Sequence, residues 1–572
     1  MKLLMKFVSY GVIFTSILLI SSCVHTLNHS NFNNAEYKIP DKFRNNSEIS
    51  SINGNKEKSS YKDPVKEITN MLQDNTFKEI VENIVAENPD LLILMSKVNV
   101  ARSKIRTSTA NLFPSVSGSV KYGKSENKDN IDGDLSFKWE LDIYGKMDAL
   151  RKSDAEMIKY SQNNLINGQV TILSDVAKYY FSIRKSANQL ILADNMLQNY
   201  KNILDVYEEM RKVGLVDETS YIETTSDYLR AENNVQQYKL EIEKNKNALI
   251  ALMNNKVLNF EELKEYNIDF KPNIPEINTI PSKVLLNRPD IRSGIYSLNS
   301  ELYVLYNREM SLYPTLSING SIGQLLASST GPGDFVWQIG ASLFAPLLNR
   351  QELYTALKNQ KESVAQADLN LRKSINTAIS EIETATFGMD SSNKTFETTK
   401  EILFYSYEAF KILEMNFKNG LVDEISYLQG KNNYLTAKSN FLNTWFENIN
   451  SSITLYKSFG GSFSVPNDDY SLEKMADTQV KEYNKKRKIL EKEKKKNRIN
   501  KKLKNKENNN LNNRDNKNKD KTNNEITFLN HKEVEDKNLE NKTNNNKEIN
   551  SKIEINSKEK TNTTYKKLWQ VD

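Results

Sequence analysis

The chain has one cysteine in 572 residues, Cys23. That excludes an intramolecular disulfide and any cysteine-cluster metal site. Histidine is almost as scarce: His25, His29 and His531 all lie toward the two ends, so the middle of the chain has no imidazole for acid–base chemistry or metal binding. There is no glycine-rich phosphate loop and no His/Cys cluster, so neither a nucleotide nor another cofactor is expected. Proline is missing over long stretches, with none between Pro114 and Pro272 or between Pro346 and Pro466. These absences argue against an enzyme and leave room for helices of unusual length. Scattered Asp and Glu read as solvated helix faces, and no catalytic acidic pair stands out among them.

What is present begins with the two ends. Residues 1–22 join two early lysines, Lys2 and Lys6, to an apolar run from Phe7 to Ile20, the pattern of a secretory signal rather than a spanning helix. Cys23 follows Ser21 and Ser22 and resembles a bacterial lipobox, which makes it the expected lipidation site. Acyl chains on one cysteine anchor a protein without spanning the bilayer. Val24 rather than Asp follows the cysteine, which under the enterobacterial sorting rule directs a lipoprotein to the outer membrane of a diderm bacterium. Residues 23–62, polar and rich in Asn and Ser, read as a flexible tether. Residues 466–572 are dominated by Lys, Asn and Glu and are expected to be a disordered tail, lacking apolar residues to offset ordering entropy. The net charge of +6 says little about partners, because much of the lysine lies in that tail. Export sets aside a nucleic-acid role for it.

The body is a duplication. "GLVDETSYI" at 214–222 and "GLVDEISYL" at 420–428 share seven of nine residues at an offset of 206. "NPD" at 88–90 and "RPD" at 288–290 are each followed by "FPSVSGSV" or "YPTLSINGSI" at the same distance. The first repeat is placed at 63–271, a Pro-containing linker at 272–283 and the second repeat at 284–465. In the first, Leu173, Val176, Tyr180, Ile183, Ala187 and Leu190 step by three and four, a coiled-coil seam. A helix from Gly145 to Val213 would be roughly 100 Å long, and Asn349 to Phe417 mirrors it.

Gly214 and Gly420 fall where each long helix should end in a left-handed residue. Asp217 and Asp423 are placed to cap a returning helix, which makes each nine-residue motif the tip of a helical hairpin. Leu215, Val216, Leu421 and Val422 put apolar side chains at these tips with little core nearby, and this suggests docking surfaces.

Four strands are expected, at 115–123, 135–144, 315–323 and 336–346. In "LSFKWELDI" apolar residues alternate with Ser136, Lys138, Glu140 and Asp142, so one face is apolar and the other wet. Phe137, Trp139, Leu141, Ile318, Trp337 and Leu343 are the candidate lipid-facing residues. Lengths near ten residues match transmembrane strands, but four strands cannot close a barrel, and an open edge is not tolerated in hydrocarbon. Either the sheet packs on a soluble core, or several copies share one barrel. With charges on the inner face, the shared barrel fits better.

The chain resembles the TolC/OprM-type outer-membrane efflux proteins, and with its lipobox their lipoprotein (NodT-like) branch. The residues that carry the resemblance are "RPDIRSGIYSLNSELYVLYNREMSLYPTLSINGSIG" (288–323), "WELDIYGK" (139–146) and the two tips. The resemblance implies a mainly helical fold with a membrane β-barrel part. A homotrimer would form one 12-stranded barrel above a periplasmic helical tunnel. It implies an exit duct for small molecules whose tips dock a periplasmic adaptor coupled to an inner-membrane pump, an RND-type pump among the candidates. Members often pinch the tunnel with aspartates after the tip glycine, yet here Ser220 and Ser426 stand at those positions. The acids fall earlier, as Asp217, Glu218, Asp423 and Glu424, so they are candidates for an acidic entrance, for helix caps, or for both. The rival readings are a type I protein-secretion duct and a nonconducting coiled-coil envelope lipoprotein.

Overall fold

The computed structural model describes residues 63–125, 128–256, 271–274, 285, 288–327, 334–346, 350–463 and 472–496. The signal, Cys23 and the tether lie outside the described residues, as do most of the linker and residues 497–572. The chain forms two units, Met1–Tyr483 and Asn484–Asp572.

Helices α1 (Pro64–Leu72) and α2 (Asn75–Glu87) lead into the first repeat: α3 (Pro89–Ala110), β1 (Ser115–Ser125), β2 (Lys128–Leu141), α4 (Lys146–Lys212) and α5 (Glu218–Leu252). The second repeat has the same order: α6 (Pro289–Met310), β3 (Thr315–Ala327), β4 (Phe335–Phe344), α7 (Arg350–Lys418) and α8 (Glu424–Ser458). A further helix, α9, covers residues 472–496. At 67 and 69 residues, α4 and α7 are each about 100 Å long.

Coiled-coil spacing explains how helices of this length are held. On α7 the buried Leu371, Ile375, Ala378, Ile382, Ala385 and Met389 step alternately by four and three, and Phe396, Leu403 and Phe410 follow at sevens. On α8, Leu428, Leu435, Leu442, Ile449 and Tyr456 recur every seven residues. This 3.5-residue repeat keeps one seam facing the partner helix. On α4, Leu173, Val176, Tyr180 and Ile183 are buried, but Ala187 and Leu190 are only half-buried. Ser186, Gln189 and Leu192 take the buried positions instead. The shift follows from pairing with α8: Gln189 Nε2 donates to Asn443 Oδ1 (2.8 Å) and Asn199 Nδ2 to Asn432 Oδ1 (2.7 Å). Amides that hydrogen-bond across the seam can occupy positions that a purely apolar reading assigns elsewhere.

Each long helix is matched by two shorter ones. In the first repeat α5 returns from the tip to Leu252, and α3 continues in the same direction from Pro89 to the sheet. The joint is stapled by Asn88, whose Oδ1 accepts from the Leu91 amide (3.1 Å) and whose Nδ2 donates to the Leu252 carbonyl (2.8 Å). The second repeat uses Arg288 at the same point. Its Nη1 donates to the Ser458 carbonyl (2.6 Å), and its Nη2 binds Asp290 and Glu381, each at 2.7 Å. Leu252 and Ser458 stand 206 apart, so both staples close equivalent carbonyls.

The strands are longer than expected, apart from β4. The segment 124–134, outside the strand bounds expected from the sequence, is largely strand: the β1–β2 ladder runs from Ser115↔Lys138 to Ser125↔Lys128. Backbone pairing continues past the apolar band, because a ladder needs no particular side chain. At the other end β2 stops at Leu141, short of the expected 144. Asp142 leaves the sheet to accept from the amides of Met147 (3.0 Å) and Asp148 (2.8 Å), capping α4.

The tail expectation also needs correction, since residues 472–496 are helical. Leu472, Ala476 and Val480 are fully buried against the body. Three small apolar residues at four-residue spacing are enough to seat one face, and they are easily lost in a Lys/Asn-rich average.

Arg288→Ala should lower unfolding stability by about 2 kcal/mol, because the buried Ser458 carbonyl loses its charged donor. Asn88→Ala should cost about 1 kcal/mol. Denaturant midpoints in detergent measure both, and wild-type stability in both variants would contradict the staple.

Candidate conduit wall and helical tips

The four strands form one antiparallel sheet in the order β1-β2-β3-β4, leaving β1 and β4 as edges. The register sorts side chains into two faces. Leu135 opposes Gly118 on one side and Ile322 on the other, and Ile322 opposes Trp337. Leu141, Leu316 and Leu343 form another row of this face, as do Trp139, Ile318 and Ala341. Phe137 faces Gly320, where an added Cβ would lie 2.1 Å from the Phe137 ring, so glycine is what lets that ring lie down. Trp337 and Leu343 are about 70% exposed (69% and 71%), whereas Phe137, Trp139, Leu141 and Ile318 are half-buried. An apolar face this open is a partner or lipid surface. The opposite face carries Ser115, Lys138 and Asn319 in one row and Ser117, Ser136, Ser321 and Gln338 in the next. Lys138 and Glu140 lie on this wet face as expected, and Asp142 does not, because it caps α4.

Below the sheet, the junction is polar and aromatic. The Trp139 indole Nε1 donates to the Leu112 carbonyl (3.1 Å), and the Tyr144 and Tyr313 rings meet at 5.4 Å. Glu140 accepts from Lys146 Nζ at 2.7 Å. From the second repeat, Tyr306 donates to the Tyr144 carbonyl (2.9 Å) and Asn307 Nδ2 to the Lys146 carbonyl (2.8 Å). The two repeats are thus locked where strand turns into helix. Amphipathic aromatics at such a boundary suit a membrane–water interface.

At the far end each long helix closes in a Schellman turn. Gly214 takes φ +74° and Gly420 φ +70°. Leu215 N–H donates to the Met210 carbonyl and Leu421 N–H to the Asn416 carbonyl, both at 2.9 Å. Asp217 then caps α5, accepting from the Ser220 amide (3.0 Å) and hydroxyl (2.8 Å), and Asp423 caps α8 through Ser426 at 2.8 and 2.7 Å. Ser220 and Ser426 therefore serve the caps. These donors, the backbone amide above all, hold the Asp217 and Asp423 carboxyls below the usual carboxylate range. Leu215 and Leu421 stand exposed, while Val216 and Val422 are half-buried in their hairpins.

The tips differ one turn further in. Arg211 bonds Glu218 (2.9 Å) and lies over the Tyr221 ring at 4.4 Å. The equivalent of Arg211 is Phe417, which stacks on Tyr427 at 4.5 Å and 6°. Glu424 accordingly has no cation in the position that Arg211 takes beside Glu218. Sequence reading missed this asymmetry, although the aligned positions 211 and 417 already differ in charge.

Among the described residues, no helix is long and apolar enough to cross a membrane. The two-faced sheet stands on helices that reach far from it. A sheet and helical shaft of this kind define an outer-membrane duct. A model of the family "Outer membrane efflux protein" matches residues 80–255 and 280–461, and the chain belongs to that family. The solvent efflux pump outer membrane protein SrpC of Pseudomonas putida is 22% identical over 409 residues, 69% of this chain and 87% of that relative. The toxin and drug export protein A of Aggregatibacter actinomycetemcomitans is 23% identical over 411 residues, 69% and 88% of the two chains. The Campylobacter jejuni CmeC outer membrane channel superposes with a TM-score of 0.63 at 19% identity, covering 77% of this chain and 98% of that one. The protein is an outer-membrane duct for efflux, in a family of channel and transport proteins.

The depressed carboxyl values set a pH dependence at the tips. Such a group stabilises the fold above its unfolded pKa, about 3.9 for Asp, and that contribution is lost as pH falls through the lower folded value. Amide exchange in the first turns of α5 and α8, corrected for intrinsic rate, should quicken below about pH 4. Asp217→Asn with Asp423→Asn keeps a cap but removes the titration, so in that variant the acid-induced increase should disappear.

Proposed function

We propose that three copies of the chain join their sheet edges into one 12-stranded barrel, anchored in the outer membrane by lipid on Cys23. The observation that carries this reading is the four-stranded sheet, apolar on one face and polar on the other, with both edges open. Closing it with further copies satisfies the edge amides and carbonyls, which hydrocarbon does not tolerate unpaired. The Ser/Lys/Asn/Gln face then lines a water-filled lumen, and the helices extend it into the periplasm as a tunnel. At the tips, Leu215 and Leu421 present apolar contacts to a periplasmic adaptor coupled to an inner-membrane pump. The pump supplies the energy, and the duct is passive.

Asp217, Glu218, Asp423 and Glu424 combine capping with an acidic entrance. Tip 1 spends part of its charge on Arg211, so the field at the entrance comes mainly from Asp217, Asp423 and Glu424. Focused negative charge at a narrow mouth raises local cation concentration. Small apolar molecules are the favoured cargo, in line with the relative named for solvent efflux. A protein cargo, as in a type I secretion duct, is the second reading, and one relative is named for toxin and drug export.

Planar-bilayer recordings of the purified protein test this. A small, gated, cation-favouring conductance is expected. Replacing the four acids by Asn and Gln should bring the cation-to-anion permeability ratio toward unity, and an unchanged ratio would remove the acidic entrance.

A further inference from the structure

Helix α9 is a clasp with a highly charged continuation. Within the first unit, Glu473 accepts from Asn163 Nδ2 at 2.7 Å and lies 3.6 Å from Arg292. Asp477 binds Arg102 and Gln162, and Gln479 Nε2 donates to Gln169 Oε1 at 2.9 Å. One short segment thereby grips α3, α4 and α6, drawn from both repeats. Its contacts on α4 lie between Gln162 and Gln169. Gln169 is already about 35 Å along α4 from its start, at about 1.5 Å per residue.

The second unit begins there by chain connectivity. Its helical part carries Lys485, Lys486, Arg487 and Lys488, then Lys492 and Lys494–Lys496, against Glu491 and Glu493 alone. These side chains are exposed. At about 100° per residue the cations fall in every quadrant of the helix, and exposed Ile489 and Leu490 are single residues between them. A helix lying flat on a bilayer needs one broad apolar face, which this one lacks. Its junction with the first unit is also separated from the sheet by several Debye lengths of about 8 Å. Cations on all sides suit a flexible anionic polymer that can surround them.

Resting on the outer-membrane duct reading, we propose that residues 485–496 bind the carboxylate-bearing glycan–peptide polymer of the cell wall, the anionic mesh that fills the periplasm at this depth. The clasp transmits the grip to the shaft and holds the duct upright in the wall. Binding is electrostatic and weakens with salt.

The test is co-sedimentation of the full-length protein, in detergent, with insoluble wall sacculi. A variant with all eight cations changed to Gln serves as the comparison, since Gln is a good helix former at exposed positions. Wild type should sediment in about 50 mM salt and be released by about 500 mM. The Gln variant should bind roughly tenfold less, and amidating the wall carboxylates should release wild type. Equal sedimentation of variant and wild type would overturn the assignment, and so would wild type binding anionic phospholipid vesicles in place of sacculi. Conductance of the Gln variant should match wild type. A wild type with no conductance would instead reject the duct, a failure separate from loss of wall binding.

Discussion

Everything in this protein answers to one constraint, the unpaired backbone along β1 and β4. A four-stranded sheet with two open edges is tolerable in water, where solvent satisfies its amides and carbonyls. In hydrocarbon each unsatisfied group costs several kcal/mol. The apolar rows of Leu135, Ile322 and Trp337 and of Leu141, Leu316 and Leu343 share one face of this sheet, a surface suited to lipid. The serine-rich face is committed equally to water. On the proposed reading, other copies close its edges.

The helical shaft has to hold each sheet at a fixed angle over a long lever. Two devices do this. At the strand–helix junction, Asp142 caps α4 while Tyr306 and Asn307 reach across from the second repeat, so neither half can tilt alone. Halfway down, Asn88 and Arg288 stitch the returning helices to those that climb to the sheet. The difference between them is chemical: a neutral amide at one joint and a paired guanidinium at the other. Duplication preserved the carbonyl to be satisfied and let the donor change. The tips diverged in the same manner, with an ion pair over tyrosine at one and stacked Phe417 and Tyr427 at the other.

Much of this was legible in the sequence, for identifiable reasons. Strand alternation, the paired nine-residue motifs and proline-free stretches are local signals, and they led to the sheet, the hairpin tips and the long helices. The glycine and aspartate of each tip were readable because a Schellman turn and an N-cap each demand a particular residue type at a particular position. What was not legible depends on partners distant in sequence. Gln189 and Asn199 look like surface residues until Asn443 and Asn432 are opposite them. Asp142 continues the strand's alternation and reads as a strand residue, but the orphan amides of α4 claim it. Residues 472–480 were hidden by the lysine-rich composition around them, since burial of Leu472, Ala476 and Val480 requires the groove that α3, α4 and α6 supply.

The central claim is that one chain's sheet is a third of a barrel. Native mass measurement of the detergent-solubilised protein, combined with cysteine cross-linking between one substituted position on the β1 edge and one on the β4 edge, tests it directly. The account predicts three times the chain mass and a covalent ladder that ends at three chains. A monomer of one chain mass, with cross-links absent between copies, would contradict it and return the sheet to a soluble role.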